Sequence, residues 1–152
     1  MTDVADANSM TARDLEKLHA FWRFAAGLSD LSTCRRRAVG CVVADPGLTS
    51  VLAIGYNGPP RGLPNDRCRE AEGACGCIHA EANALVKLRG GGGLALLTTT
   101  SPCEHCAGLI VNCGKVATVI YGDAYRDSSG LAVLLAAGVA AVDVRTLLEE
   151  LP

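Results

Sequence analysis

The segments Leu94–Thr100 (LALLTTT), Cys103–Asn112 (CEHCAGLIVN) and Val116–Tyr121 (VATVIY) decide the fold by their order. The first and third are short apolar runs with β-branched residues, which read as strands, and the segment between them reads as a helix. A strand, a crossover helix and a second strand give a parallel pair with the helix packed on one face. The pattern continues with a helix over Gly130–Ala137, a strand over Val139–Val144 and a short closing helix over Val144–Glu150. Upstream, Val39–Ala44 and Val51–Tyr56 flank Asp45-Pro46-Gly47 and read as a two-stranded hairpin. Leu15, Leu18, His19, Trp22, Ala25 and Ala26 fall at helical spacing, so a first helix runs from Thr11 to about Gly27–Ser29. A further helix spans Ala80–Arg89 and stops at Gly90–Gly93, a glycine run read as a flexible connector. The expected architecture is α/β, a three-layer α/β/α sandwich around a five-stranded mixed sheet. Residues 1–152 are expected to form one domain, with residues 1–10 small, polar and disordered.

Composition narrows the function. Hydrophobic residues make up 49% of the 152 positions, enough for a full core, while aromatics at 4% supply little stacking surface for single-stranded nucleic acid. The net charge of -2 draws the chain neither to phosphate backbones nor to anionic membranes, so a small molecule is a better partner than a long nucleic acid or a membrane. No apolar run reaches the length of a membrane span, and Met1-Thr2-Asp3-Val4 lacks the basic start of a secretion signal. Eight cysteines without such a signal point to reduced thiols and metal, and to a cytoplasmic protein.

His79-Ala80-Glu81 and Pro102-Cys103-Glu104-His105-Cys106 carry the chemistry. Together they supply three zinc ligands, His79, Cys103 and Cys106, and a carboxylate outside the ligand set, Glu81. That is a catalytic zinc site with one position open to water. Cys103 and Cys106 are three apart and reach one ion from a helical turn, and Pro102 suits the start of a helix whose dipole favours thiolates. Glu81 is the candidate proton carrier if a dry pocket raises its pKa. A lone Cys-x-x-Cys also fits a redox dithiol or half of a structural zinc site, so the weight rests on both motifs occurring in order. His105 is read as a surface group.

Four other cysteines, Cys34, Cys68, Cys75 and Cys77, lie in or beside the irregular stretch Asn57–Gly76, which has no core of its own. They suit a second, structural zinc that would fix this loop, with free thiols or an oxidised disulfide as alternatives. Cys41 and Cys113 are read as small buried residues.

The two motifs resemble the zinc-dependent cytidine and deoxycytidylate (dCMP) deaminase family. Ser32-Thr33-Cys34, Val39-Gly40, the segment Gly55-Tyr56-Asn57-Gly58-Pro59-Pro60-Arg61-Gly62, His79 to Ala84 and Val119 to Tyr125 look like its dCMP branch. The resemblance implies hydrolytic conversion of dCMP to dUMP with release of ammonia, one catalytic zinc per chain, and a homo-oligomer. It also supports the second zinc. It implies that the main chain at Ala80 and near Ser101 holds the pyrimidine edge, that Asn57 meets the sugar hydroxyl, and that Tyr125 closes over sugar or phosphate. A turn-forming Asn before Gly and a core Tyr are the competing readings of those two side chains. Arg35, Arg36, Arg37, Arg61 and Arg126 are all available to a phosphate, and none stands out. Lys87 and Arg89 flank the place where the branch's effector pattern would lie, so effector control is not carried over. Cytidine, deoxycytidine, 5-substituted cytosine nucleotides and guanine remain as other substrates, and a non-catalytic zinc-stabilised binding module as another class.

Overall fold

A computed structural model describes residues 9–149. Its sheet runs in the order β2-β1-β3-β4-β5, with β1 Gly40–Ala44, β2 Val51–Tyr56, β3 Leu94–Thr100, β4 Val116–Asp123 and β5 Ala140–Asp143. β1 is antiparallel to both neighbours, whereas β3, β4 and β5 are mutually parallel. The sheet is therefore mixed and five-stranded, as the strand and helix succession implies.

Alternation along the strands builds two cores. Cys41, Val43, Leu94, Leu96, Val116 and Val119 point to the face covered by α2 (Ala80–Leu85), α3 (Glu104–Cys113) and α4 (Ser129–Ala136). Val42, Ala44, Ala95, Leu97 and Ile120 point to the other face, where α1 (Ala12–Ser29) packs Leu18, Trp22, Ala25 and Leu28 beside Val144, Leu147 and Leu148. These are the three layers. α1 starts at a capping box: the Thr11 hydroxyl accepts from Asp14 N–H, and the Asp14 carboxylate accepts from Thr11 N–H. Met10, expected in a loose segment, packs against the α1 core, while residues 1–8 lie outside the described part.

The register puts all strand ends that matter on one edge. Gly40 at the start of β1 pairs with Tyr56 at the end of β2, Cys41 faces Thr98, and Thr100 pairs with Asp123. The antiparallel β1 thus brings its N-terminus beside the C-termini of β3 and β4. The β1–β2 turn lies at the other edge, where the Asp45 carboxylate accepts from the N–H groups of Gly47, Thr49 and Ser50 and from the Thr49 hydroxyl. Partial burial alone would raise its pKa, but those donors hold it below the usual carboxylate value.

Two expectations need correcting. The helix expected over Ala80–Arg89 is regular only to Leu85; Lys87 and Leu88 then bond three residues back, a tighter turn that buries Leu88 and leaves Val86 70% exposed. The glycine run that follows turns the chain into β3 with Gly90, Gly91 and Gly93 all at positive φ. The last strand ends at Asp143, and Val144–Thr146 forms a 3-10 turn; Glu150, in the expected closing helix, lies outside the described residues. Among the described residues no helix is long and apolar enough to cross a membrane.

Candidate active site and metal centres

His79 and Cys103 are the N-caps of α2 and α3, both in extended backbone conformation, so each side chain stands at a helix mouth. Pro102 marks the start of α3, but the helix begins one residue later than the sequence suggests. Cys103 Sγ takes the capping role of an oxygen, accepting from Cys106 N–H at 3.5 Å. His79 makes no such cap; its Nδ1 lies 3.5 Å from the sulfurs of both Cys103 and Cys106. Tetrahedral zinc with sulfur at about 2.3 Å and nitrogen at about 2.0 Å separates its ligand atoms by roughly 3.5–3.8 Å, and the two nitrogen–sulfur distances match that spacing, with all three donors within 4.8 Å of one another. Cys103 is held well below the ordinary thiol pKa by hydrogen bonding from Cys106 and, against its partial burial, by His79. Cys106, fully buried, is pushed upward by that same partnership and by burial.

Glu81 is 4% exposed and lies in the first turn of α2 behind His79. Burial pushes its carboxyl up to about 7, against the lowering effect of its own N–H and of His79. A carboxyl so placed can hold a proton or release it near neutral pH. His105 is exposed on the outer side of α3, as the sequence suggests.

Two close backbone approaches set the depth of these helix mouths. A Cβ on Gly55 of β2 would lie 2.0 Å from Ala80 O, and one on Gly130 of α4 would lie 2.0 Å from Pro102 O and 2.8 Å from the Cys103 carbonyl carbon. α2 and the Pro102–Cys103 segment therefore rest directly on glycine. Asn83 Nδ2 donates to Tyr56 O at 2.8 Å and fastens α2 to the end of β2.

Cys34, Cys68, Cys75 and Cys77 form a second cluster, their sulfurs all within 4.8 Å of one another and those of Cys34 and Cys68 4.0 Å apart. The N–H groups of Arg35 and Glu70 point at Cys68 and draw its pKa down to about 7. Main-chain donors aimed at a thiolate are the supporting bonds a metal-held sulfur requires. Four sulfurs with such support fit tetrahedral zinc. Cys41 is fully buried, and Cys113 is only half-buried, its thiol donating to Ile110 O at 3.0 Å.

The two clusters border one cleft of about 720 Å³, solvent mouth included, lined by Cys75, Cys77, His79, Glu81, Cys103 and the expected substrate residues Asn57, Ala80, Ser101 and Tyr125. Ala80 N–H, in the first turn of α2, has no partner within the helix. Ser101 N–H is used by Asp123 O at 2.8 Å and its hydroxyl by Tyr125 N–H at 2.7 Å, which fixes the cleft wall and leaves the Ser101 carbonyl for a ligand. Asn57 is 5% exposed; its Oδ1 accepts from Ser32 Oγ and Val39 N–H, and its Nδ2 donates to Arg37 O. One Nδ2 hydrogen is left over, so the side chain both locks the β2 end and retains a donor. Tyr125 is a half-buried wall of the cleft, not a core residue. Cys34, Arg36, Arg37, Val39, Thr100 and Arg126 complete the lining, and of these only Thr100 goes unmarked in the sequence, because its placement follows from strand register.

Residues 15–123 match the family model described as the cytidine and deoxycytidylate deaminase zinc-binding region. The deoxycytidylate deaminase of Saccharomyces cerevisiae is 36% identical over 133 residues, covering 78% of this chain and 42% of the relative. The chain thus spans about two fifths of that relative's length. The deoxycytidylate deaminase of Mycobacterium phage D29 is 33% identical over 118 residues, covering 66% of this chain and 90% of the relative. Among solved structures, the dCMP deaminase from the cyanophage S-TIM5 in complex with dCMP and dUMP aligns with a TM-score of 0.77 at 35% identity, covering 88% of this chain and 98% of that one.

Proposed function

The chain belongs to the cytidine and deoxycytidylate deaminase family, and from that premise we propose that it deaminates dCMP hydrolytically to dUMP. The observation that carries the reading is the buried Glu81 carboxyl beside His79, Cys103 and Cys106, in a cleft that Asn57, Ser101 and Tyr125 also line. His79, Cys103 and Cys106 would hold the catalytic zinc. Zinc, when bound, lowers the pKa of water enough to supply a nucleophile at neutral pH. Glu81 would carry two protons in turn, one from the attacking water to the ring nitrogen and one from the added hydroxyl to the departing amine, so that one water is consumed and ammonia leaves. The N–H of Ala80 and the carbonyl of Ser101 orient the pyrimidine edge. The spare Asn57 hydrogen meets the sugar, and Tyr125 borders the sugar and phosphate. Cys34, Cys68, Cys75 and Cys77 would hold a second zinc, which would take the place of a hydrophobic core under the 57–77 loop. We read the whole as one deaminase domain acting on a small nucleotide in the cytoplasm as a homo-oligomer.

Ammonia release by the zinc-loaded protein tests this directly, with dCMP compared against deoxycytidine, cytidine, 5-substituted cytosine nucleotides and guanine. The expected order has dCMP first. No ammonia from any of them would leave a zinc-stabilised binding module. Metal analysis is expected to give two zinc ions per chain, and a value near one removes the second site.

A further inference from the structure

Two segments of the second cysteine cluster lie zipped side by side. Arg35 N–H points at the Cys68 sulfur, Arg35 Nη1 pairs with Glu70 at 3.2 Å, and Arg36 Nη1 donates to Ala71 O at 3.3 Å. Cys34 and Cys68 stand at the base of this zip with their sulfurs 4.0 Å apart. Glu70, not a glycine, is held at a φ of 58°, a costly left-handed conformation in which its N–H also points at Cys68. The two sulfurs differ in access. Cys34 is half-buried and lines the cleft together with Asn57 and Glu81, whereas Cys68 is 4% exposed and does not border it. A small oxidant in the cleft therefore meets Cys34 first, with a shielded sulfur in contact behind it. That is the arrangement of an oxidisable thiol and its resolving partner.

Resting on the reading of this cluster as a second zinc site, we propose that Cys34 and Cys68 are a peroxide-responsive pair whose disulfide discharges that zinc and loosens the cleft. The Cys34 thiolate attacks hydrogen peroxide, the O–O bond breaks, one oxygen stays on sulfur as the sulfenic acid and hydroxide leaves. The Cys68 thiolate then attacks that sulfur and displaces a second hydroxide, so two thiolates lose two electrons and one peroxide becomes two hydroxides. Bonding brings the sulfurs about 2 Å closer and withdraws two donors, and Cys75 and Cys77 alone are half of a tetrahedral set. What then holds residues 69–74 is weak, because the ion pairs Arg35–Glu70 and Arg126–Glu72 join exposed side chains. The segment that moves is cleft wall: Ser32 Oγ and Thr33 N–H are bonded to Asn57, and Arg36 and Arg37 line the cleft. His79 is spared, since Gly58 and Ile78 exchange two main-chain hydrogen bonds of 2.8 and 3.2 Å between it and the cluster. Oxidation thus acts on nucleotide binding and leaves the catalytic donors in place.

The test treats the zinc-loaded chain with hydrogen peroxide and follows disulfide mapping by peptide mass, zinc released to a chromogenic chelator, and calorimetric affinity for dUMP. The expected product carries a Cys34–Cys68 bond, has released one of two zinc ions, and binds dUMP about tenfold more weakly, because a loosened wall is competent only part of the time. Dithiothreitol with added zinc restores all three. Saturating dUMP, which fills the cleft that Cys34 lines, slows the oxidation several-fold. Cys113→Ser is expected to oxidise as wild type does, and in a folded Cys34→Ser protein dUMP affinity no longer responds to peroxide. A bond at Cys103–Cys106 or Cys75–Cys77, or sulfinic acid without any disulfide, would overturn the pair. Unchanged dUMP affinity after Cys34–Cys68 closure overturns the effect on the cleft, and equal oxidation rates with and without dUMP overturn the route through it. If the untreated chain holds a single zinc, the second-zinc reading fails, while the disulfide map still decides whether Cys34 and Cys68 are a redox pair.

Discussion

Gly130→Ala places one methyl group where the chain has none to spare. The new carbon would lie 2.0 Å from Pro102 O and 2.8–2.9 Å from the Cys103 carbonyl group. An ordinary carbon–oxygen contact is about 3.3–3.6 Å, so α4 and the Pro102–Cys103 segment must part by roughly 1 Å or more. Overpacking of this kind costs about 1–3 kcal/mol, which for a chain of this length lowers Tm by several degrees. The effect on the site is larger than the effect on the fold. Metal sites tolerate about 0.2 Å in ligand distance, so a 1 Å shift of Cys103 removes it from the set it forms with His79 and Cys106. Chelator competition on the purified protein should show one zinc per chain released far more readily and the other unchanged. Turnover of the zinc-loaded variant should fall on the order of 10²-fold. Gly108→Ala is the control of opposite sign. Gly108 lies within α3 with nothing within 4 Å of its added Cβ. That change should stabilise by about 0.5–1 kcal/mol with both metals retained. A folded Gly130→Ala protein with wild-type zinc release and turnover would refute the reasoning.

Glu81→Gln should keep the catalytic zinc and lose turnover by on the order of 10²-fold or more, because the amide cannot carry the proton; full activity would exclude Glu81 as the carrier. Cys68→Ser should open the 57–77 loop to limited proteolysis while the protease pattern around α1 stays as in wild type, and chelation of wild type should do the same. Unchanged cleavage in both would mean that the loop is held by something other than its thiolates. Asp45 is the group to watch in acid. Its pKa is lowered in the folded state, so the stability it contributes is complete above the ordinary carboxylate pKa and is lost as pH falls through the lowered value. Asp45→Asn should therefore shrink the difference in Tm between pH 7 and pH 3, and an undiminished difference counts against the turn as its source.

The sheet and its helices were legible because their signals are local. Leu94–Thr100 and Val116–Tyr121 are apolar enough to be strands wherever the chain takes them, and Thr11 with Asp14 states where α1 begins. The two Cys and His clusters were legible for a different reason, since metal-binding chemistry restricts residue types and spacing more tightly than packing does. What escaped the sequence depends on partners far along the chain. Nothing near Asn57 announces that Ser32, Arg37 and Val39 will claim its amide. Leu88 turns inward after α2 because a core position is waiting for it, which helical periodicity does not report. The pairing of Glu72 with Arg126 joins residues 54 positions apart and leaves no pattern in either segment.

The convergence of strand ends on one edge of the sheet has a practical side. Chemistry-bearing residues from Cys34 to Arg126 are gathered there, while the opposite edge carries the Asp45–Ser50 turn, the Gly90–Gly93 turn and the turn at Gly114 before β4. Loops that carry no function tolerate insertion best. A fluorophore, an affinity tag or new chain termini placed at Thr49 or Gly92 would sit a full strand length, roughly 17–20 Å, from the reacting atoms. Selection acting on the chain has the same freedom, so sequence drift and grafted modules are expected to accumulate on that edge while the other stays closed to them.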